Sequence, residues 1–324
     1  MNSMKTKTLR LSNLPIRYEK LLLNVLTGSD INTWYFFDTT LDEKAQLDDY
    51  DTLWFTVTSS FTSENYPTVF SRLESYSGRK VNFNCTAFLR LDQQINGFIK
   101  AGFALPPFQI YEKGTLPEEF DCPMIVRASL EYSQYCFSKL VVSRDDVNRW
   151  LHWVNYDYIL QDFSEDTFCD GLYYNGQIYC VGDDLIPRSV RWSNQWYVSP
   201  TTRGIPHLGL VMGDFNQIPN ITTCGNFEDK VRECFNSLSV DIGCLDFSIS
   251  ENGDLIPWGI TAPFYPFLEG EKNLSLGLPF PTHGEQLQPQ ICAWNAVLNL
   301  LGSNKGLSPN ELFRPIYHGK FIFE

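Results

Sequence analysis

Two charged side chains in strand-like segments carry most of the chemistry that this sequence could perform. Arg127 ends the apolar run Met124-Ile125-Val126-Arg127, so the strand delivers its guanidinium group to whatever space it faces, which we expect to be a cleft. Asp246 lies within a second apolar run, Leu245-Asp246-Phe247-Ser248-Ile249. A guanidinium group is a planar fork that suits phosphate and carboxylate oxygens, whereas a carboxylate attracts cations.

The elements around Arg127 follow the order strand, loop, helix, strand and hairpin. Ser143 is predicted to cap the helix, because Asp145 and Asp146 fill its first turn and favour the positive end of the helix dipole. Apolar residues then recur at helical spacing. A strand over 158–163 follows, and Asn175-Gly176 predicts a hairpin turn after it.

A second hairpin is predicted to position Asp246. If Asn252-Gly253 forms a two-residue turn, Asp246 lies opposite Gly259, with Pro257 one step away on the same face. Neither residue offers a side-chain oxygen. A lone carboxylate is a poor magnesium site, because Mg²⁺ requires six oxygen ligands.

The order of elements in 121–180 resembles the nucleotide-binding half of the ATP-grasp superfamily of carboxylate–amine ligases, which includes the D-alanine:D-alanine ligase and carnosine-synthase-like branches. The resemblance implies that Arg127 meets the nucleotide phosphates, where the family usually has Lys. It places the adenine hinge at Gln161-Asp162-Phe163. It also implies that Asp166 holds the ribose, where the family usually has Glu. The run 166–171, Asp-Thr-Phe-Cys-Asp-Gly, is similar to Glu-Tyr-Ser-Val-Asp-Gly of the carnosine-synthase-like branch.

The resemblance also implies an α/β (α+β) fold of ATP-grasp architecture, with a small N-terminal α/β domain and two α+β lobes around a cleft. The expected divisions of the chain are an N-terminal α/β domain (1–90), a central part with the small nucleotide-binding lobe (91–180), a large lobe (181–265) and a C-terminal extension (266–324). The helix 92–100, ended by Ala101-Gly102, fits the family's entry into the central domain.

Four features depart from the family pattern. Gln93 replaces a Lys, Arg127 replaces a Lys, the loop 128–136 contains no glycine, and Pro257 and Gly259 replace an acid and an Asn. The resemblance implies ATP as cofactor, with Mg²⁺ bound weakly at Asp246 or absent. Among the arginines of the large lobe, Arg203 is a candidate to face an acyl phosphate, with an ordinary surface position as the alternative.

Three interpretations stay open on these residues. The first is an ATP-dependent ligase that joins an amino acid or peptide to an amine through an acyl phosphate. The second is a catalytically degenerate ATP-grasp protein used for nucleotide sensing or protein interaction, and the third is an unrelated α/β protein. The partners expected are small-molecule carboxylate and amine substrates or a protein, with a homodimer as one option for assembly.

Bulk composition excludes several other classes. The 324 residues carry a net charge of -13, which repels nucleic-acid backbones and anionic membranes in the absence of a Lys/Arg run. No apolar segment reaches the length of a membrane span or a signal peptide, so we expect a cytoplasmic protein. Nine cysteines without a Cys-x-x-Cys pair favour reduced buried thiols over zinc or disulfides.

Overall fold

The fold is known from a computed structural model. It describes residues 7–13, 26, 28–35, 47–57, 61, 63–83, 91–115, 117, 120–128, 138–151, 157–163, 168–169, 172–193, 209–212, 218, 220–261, 288–303 and 305–307. These residues form three sheets, which we call sheets A, B and C in chain order. Within them, no helix is long and apolar enough to cross a membrane.

Sheet A is a parallel four-stranded sheet with strand order β2-β1-β3-β4. Its strands are β1 (Thr8–Ser12), β2 (Ile31–Tyr35), β3 (Thr52–Thr56) and β4 (Arg79–Val81), and helix α1 (Pro67–Ser75) connects β3 to β4. The strands of a parallel sheet are covered on both faces, which is why every residue of β1 is buried, polar ones included. The small N-terminal α/β unit is confirmed.

Sheet B is antiparallel, with strand order β5-β8-β6-β7. Its elements are β5 (Phe108–Tyr111), β6 (Met124–Ala128), β7 (Ser138–Val141), α3 (Arg144–Leu151) and β8 (Tyr158–Asp162); helix α2 (Leu91–Lys100) precedes them. Alternate residues of β6 and β8, with Val147 and Trp150 of α3, form a core on one face of the sheet. The predicted Ser143 cap is confirmed, since its Oγ accepts from the Asp146 backbone N–H at 3.2 Å.

Sheet C has six antiparallel strands in the order β12-β11-β10-β13-β14, with β9 paired to β10. The strands are β9 (Phe168–Cys169), β10 (Leu172–Val181), β11 (Asp184–Ser193), β12 (Gly209–Met212), β13 (Ile242–Ile249) and β14 (Leu255–Thr261). Helix α4 (Phe227–Ser237) joins β12 to β13 and packs its apolar face on this sheet. The predicted domain boundaries stay predictions; the one between 180 and 181 falls inside β10.

Helix α5 (Gln288–Leu300) lies between sheets A and C. Trp294 meets Trp54 of β3 edge to face, with ring centroids 6.3 Å apart. Just beyond the helix, the Leu301 carbonyl accepts from the Thr8 hydroxyl of β1 at 2.7 Å. This helix of the C-terminal extension therefore belongs to the central core, shared with both sheets.

The predicted hairpin at Asn175-Gly176 is wrong. Both residues lie within β10, and the chain turns at Gly182-Asp183, where Val181 pairs with Asp184. Gly176 is needed for a different reason: a Cβ there would lie 2.7 Å from Cζ of Phe247, so the ring fills the space of the missing side chain. Gly182 has the left-handed φ of +58° that a tight turn requires.

The second hairpin turns at the predicted place, but its loop has three residues instead of two. Ser250 and Asp254 close it, and Gly253 takes the left-handed φ of +84°. Trp258 is an extra residue in β14, so that Asp246 still pairs with Gly259 while Phe247 pairs with Pro257. The bulge thus moves Pro257 to the face opposite Gly259, which corrects the predicted shared face.

Candidate functional site

Two contacts join sheet B to sheet C and mark the cleft between them. Nη2 of Arg127 donates to the Trp258 carbonyl oxygen at 2.9 Å, and the rings of Phe163 and Tyr173 lie 6.1 Å apart between centroids. Trp258 directly precedes Gly259, the residue that pairs with Asp246. The structure therefore brings Arg127 and the hairpin of Asp246 together, while the chemical roles of both residues stay predictions.

The wall contributed by sheet B is mostly apolar. Ile125 pairs with Gln161 and Arg127 with Ile159, so these four side chains share one face of the sheet. Val126 and Leu160 alternate with them and point into the opposite core. A charged group that ends an otherwise apolar wall is partly desolvated, which strengthens its attraction to an anion.

Gln161 is the one predicted hinge residue that lies on this wall. Its side chain is 1% exposed, and within the described part of the chain its Oε1 has no hydrogen-bond donor. A buried acceptor without a partner costs free energy, and a ligand that donates to it would recover that cost. Gln161 is therefore suited to receive an N–H group from a bound molecule.

Asp162 and Phe163, the other predicted hinge residues, lie differently. Asp162 pairs with Met124, and its exposed side chain belongs to the face opposite Gln161. Its backbone N–H donates to the Pro107 carbonyl at 2.8 Å, which fixes the end of β8 against the start of β5. Phe163 contacts Tyr173 at the junction of the two sheets and so bounds the cleft on one side.

The wall contributed by sheet C carries a polar network around Asp246. Gln177 pairs with Asp246 in register, and its Nε2 donates to Asp246 Oδ1 at 2.7 Å. The Oε1 of Gln177 accepts from the Ser189 hydroxyl at 3.0 Å. This chain of hydrogen bonds across β11, β10 and β13 fixes the orientation of the carboxylate, and nothing in the sequence pattern identified Gln177.

Arg188 is a second cation on the same face of sheet C. It is the extra residue of a bulge in β11, because Gln177 pairs with Ser189 while Ile178 pairs with Pro187. Its guanidinium group lies 5.3 Å from the ring centroid of Tyr179, and Nη1 lies 3.6 Å from Sγ of Cys244. The side chain thus crosses β10 and ends over β13, two residues from Asp246.

The Trp258 bulge links the two walls. Its indole Nε1 donates to Ser248 Oγ at 2.9 Å, which anchors the bulged residue on the face that carries Asp246. The bulge interrupts the ladder between β13 and β14, so the Trp258 carbonyl is available to Arg127 of sheet B. A break in the strand pairing therefore provides the acceptor for the cation.

Gly259 leaves room opposite Asp246. The nearest atoms to a Cβ built there are Oε1 of Gln94 at 3.6 Å and Cδ1 of Leu91 at 4.0 Å. Gln94 of α2 also exchanges two hydrogen bonds with the Ile260 backbone, at 2.9 and 3.2 Å, and so covers the edge of β14. A Cβ at 259 would therefore make only ordinary van der Waals contacts.

The described residues do not assemble a cluster of three or more metal-ligating side chains. Asp246 is opposite Gly259, and its described neighbours on the same face, Ser248, Ile256 and Gln177, provide no second carboxylate. The donor set on this face therefore does not fit a tightly bound Mg²⁺. Asp166, Arg203 and residues 129–136 of the glycine-free loop 128–136 lie outside the described residues.

Buried thiols behind the site are chemically inert in the folded chain. Burial raises the pKa of Cys180 to about 12, and burial likewise raises the pKa of Cys234 far above its ordinary range. Both side chains pack in the core on the other face of sheet C. A thiolate nucleophile at neutral pH is thus unavailable from either residue.

Comparison with solved structures identifies the fold, although no protein-family model and no curated protein matches the sequence. The D-alanine–D-alanine ligase of Bacillus anthracis aligns with a TM-score of 0.56 and 10% identity over 91% of this chain and 98% of that one. A second structure of that ligase is a complex with ATP. A RimK domain ATP-grasp protein of Sphaerobacter thermophilus aligns with a TM-score of 0.52 and 11% identity, over 91% and 99%.

The macrocyclase MdnC of Microcystis aeruginosa, solved with its precursor peptide MdnA, aligns with a TM-score of 0.54 and 13% identity, over 90% of this chain and 99% of that one. These three proteins have the ATP-grasp fold, and each is covered almost completely. The chain therefore has the ATP-grasp fold, as the resemblance in 121–180 predicted.

Proposed function

We propose that this protein is an ATP-dependent carboxylate–amine ligase that acts on an amino acid or a peptide. The observation that carries the proposal is the meeting of Arg127 with the bulge beside Gly259, which brings a guanidinium group of one lobe to the carboxylate-bearing hairpin of the other. The transferring phosphoryl group is anionic, and a cation between the two lobes is placed to neutralise it.

The residues of the cleft fit ATP. Oε1 of Gln161 is a buried acceptor without a described donor, which suits the exocyclic amino group of adenine. Arg127 would contact the phosphates as a bidentate donor. The ring of Phe163 would border the base, and Asp166 would lie near the ribose by resemblance to the family, whereas the Asp162 side chain lies on the opposite face of sheet B.

The reaction proposed is attack of a substrate carboxylate on the γ-phosphate, which gives ADP and an acyl phosphate, followed by attack of an amine that releases phosphate and forms an amide. The role of this chain is to hold the anionic reactants together while excluding water. Arg203 is the candidate to face the acyl phosphate. Any Mg²⁺ at Asp246 would be weakly held, because the neighbouring strand supplies no second carboxylate.

One observation favours a second candidate function. Gly259 stands opposite Asp246 and leaves the metal site with a single described carboxylate. Loss of an electrostatic stabiliser commonly lowers a rate by about 10²–10³. An ATP-grasp scaffold with this site could therefore serve in nucleotide sensing or protein interaction without turnover. The partners proposed are small-molecule substrates or a protein, in a cytoplasmic protein that could form a homodimer.

The test combines nucleotide binding with turnover. Titration calorimetry with a non-hydrolysable ATP analogue should show binding that Arg127→Ala weakens by about tenfold or more, since a charge-assisted contact is lost. Arg149→Ala is the matched control, because Arg149 lies on the outer surface of α3 with 74% of its side chain exposed. Mixtures of amino acids should then be screened for ADP release and amide products.

The outcomes separate the candidates. Binding together with amide formation supports the ligase. Binding without turnover over a broad set of amino acids and peptides supports the sensing function. Absence of ATP and ADP binding at millimolar concentration contradicts both, and an unchanged affinity in Arg127→Ala contradicts the assignment of Arg127 to the phosphates.

A further inference from the structure

Two guanidinium groups lie on either side of Asp246. Arg127 comes from sheet B and ends at the Trp258 carbonyl of β14. Arg188 comes from β11 and ends at Sγ of Cys244, on β13 two residues before Asp246. Both contacts are on the face of sheet C that carries the Gln177–Asp246 hydrogen bond.

The separation of these two end points suits a polyphosphate. Cys244 and Trp258 lie on adjacent strands, about three residues apart along the strand direction. Neighbouring strands are about 4.8 Å apart and rise about 3.4 Å per residue, which puts the two contacted residues, Cys244 and Trp258, roughly 10 Å apart. A triphosphate chain of that length scale would have one group near each end.

Arg188 is also built to keep its position. Its guanidinium carbon lies over the ring of Tyr179, which is fully buried, and a cation over an aromatic face is held by the ring quadrupole. The bulge aims the side chain across β10 instead of along the sheet edge. An arginine fixed in this way loses little conformational entropy when an anion arrives.

We propose that Arg188 and Arg127 together form the polyphosphate site of this protein, so that guanidinium charge replaces most of the metal charge that the Asp246 site cannot hold. The inference rests on the proposed function in so far as the polyphosphate is that of ATP. The anion site itself follows from the two arginines alone. Arg188 would bind one end of the chain and Arg127 the other, with Gln177 holding the Asp246 carboxylate toward β10.

If Arg127 and Arg188 form the polyphosphate site, nucleotide affinity depends strongly on these arginines and only weakly on Mg²⁺. Two probes, ATP and inorganic tripolyphosphate, should be titrated calorimetrically in excess EDTA and again with Mg²⁺. We expect both to bind in EDTA, with affinities that change by less than about tenfold on adding the metal. Arg188→Ala should weaken both probes by about tenfold to a hundredfold, the loss of one charge-assisted contact.

Arg188→Lys and Arg149→Ala are the controls. Lysine keeps the charge without the fork, so it should retain part of the affinity, whereas a merely structural Arg188 would show no such ranking. Arg149→Ala should bind as the unaltered protein does. Circular dichroism melting of each variant identifies any loss of folding; if Arg188→Ala does not fold, Arg188→Lys in rising salt carries the test.

Several results would overturn the inference. Tripolyphosphate that fails to bind with or without Mg²⁺ removes the anion site. If polyphosphate binding requires Mg²⁺ and is lost in Asp246→Asn, a metal ion neutralises the polyphosphate instead of the arginines. Unchanged affinity in Arg188→Ala makes Arg188 a packing residue. Binding of tripolyphosphate without binding of ATP supports the anion site but contradicts the proposed ligase, so the two failures are distinguishable.

Discussion

Asp246 and Gly259 face each other across β13 and β14 although the hairpin that connects them has one more loop residue than a two-residue turn. The longer loop shifts the register by one residue, and the bulge at Trp258 of β14 shifts it back. The pair therefore keeps the register that a shorter, regular hairpin would give. This position is where a second metal-binding carboxylate could be introduced.

We predict that Gly259→Glu creates a magnesium site. A Cβ at 259 meets nothing nearer than 3.6 Å, and the new carboxylate would lie on the same face as Asp246, its cross-strand partner. Two carboxylates should tighten binding of Mg²⁺ or its Mn²⁺ substitute by about tenfold or more, as measured by calorimetry. Thr261→Glu, exposed two residues further along β14, is the matched control; equal tightening in both variants would mean a non-specific charge effect.

Gly176→Ala should destabilise the fold. The added methyl group would lie 2.7 Å from Cζ of Phe247, and overpacking of a core typically costs about 1–3 kcal/mol. Urea unfolding measures the loss. Gly225→Ala is the control, since a Cβ there meets nothing within 4 Å. Phe247→Leu should rescue part of the cost in the double variant, and additive effects would show that the clash lies elsewhere.

Asn82 is predicted to be an essential link between sheets A and C. Its side chain accepts from the backbone N–H groups of Asp241 and Ile242 at 2.8 and 3.0 Å and donates to the Ile242 carbonyl at 3.0 Å. Its own N–H donates to Asp241 Oδ2 at 2.6 Å, and its φ is +62°. Asn82→Ala should lower the free energy of unfolding by about 2–5 kcal/mol, because buried groups lose partners and alanine disfavours this φ.

Asn82→Gly separates the two effects. Glycine accepts the left-handed conformation, so this variant should recover the backbone part of the loss and no more. Chemical denaturation of both variants gives the comparison. If Asn82→Gly is as stable as the unaltered chain, the hydrogen bonds to Asp241 and Ile242 contribute little.

Because the thiol of Cys180 is buried, we predict that the folded protein loses stability at alkaline pH. Burial raises the pKa of its thiol from the ordinary 9.0 to about 12 in the folded chain. Between pH 9 and about pH 12, unfolding therefore releases the thiol proton of Cys180. The contribution of Cys180 to the free energy of unfolding is complete below pH 9 and is lost as pH rises toward 12, by up to about 1.4 kcal/mol per pH unit.

Urea unfolding at several pH values between 8 and 11 should show a shallower decline for Cys180→Ala than for the unaltered chain. Cys292→Ala, a half-buried cysteine of α5, is the control for removal of a thiol. Identical slopes in the three proteins would show that Cys180 does not titrate as its burial implies.

The fold could be predicted from the sequence wherever a residue's local sequence pattern agrees with its role in tertiary packing. The Ser143 cap, the α2 stop at Gly102 and the apolar strand around Arg127 each follow from short-range rules, and each has the predicted structure. Asn175-Gly176 failed because the glycine serves packing against Phe247, a residue far along the chain. A dipeptide signal cannot separate a turn from such a contact.

The site was predictable only in part for the same reason. The opposition of Asp246 and Gly259 was predicted from a two-residue turn, and it holds because the bulge offsets the longer loop. The cleft position of Arg127 follows from its place at a strand end. Arg188 and Trp258 depend on bulges, which shift the register by one residue and leave no composition signal. Gln177 acts through its cross-strand partner, which the sequence alone does not reveal.

The position of α5 has a consequence for synthesis on the ribosome. Thr8 of β1 finds its hydrogen-bond partner at Leu301, 293 residues later. At about 5–20 residues per second, roughly 15 to 60 s of translation separate the two. Throughout that interval one face of sheet A, including Trp54, lacks the helix that covers it. The nascent chain therefore presents a large apolar surface to chaperones before its first strand is finally buried.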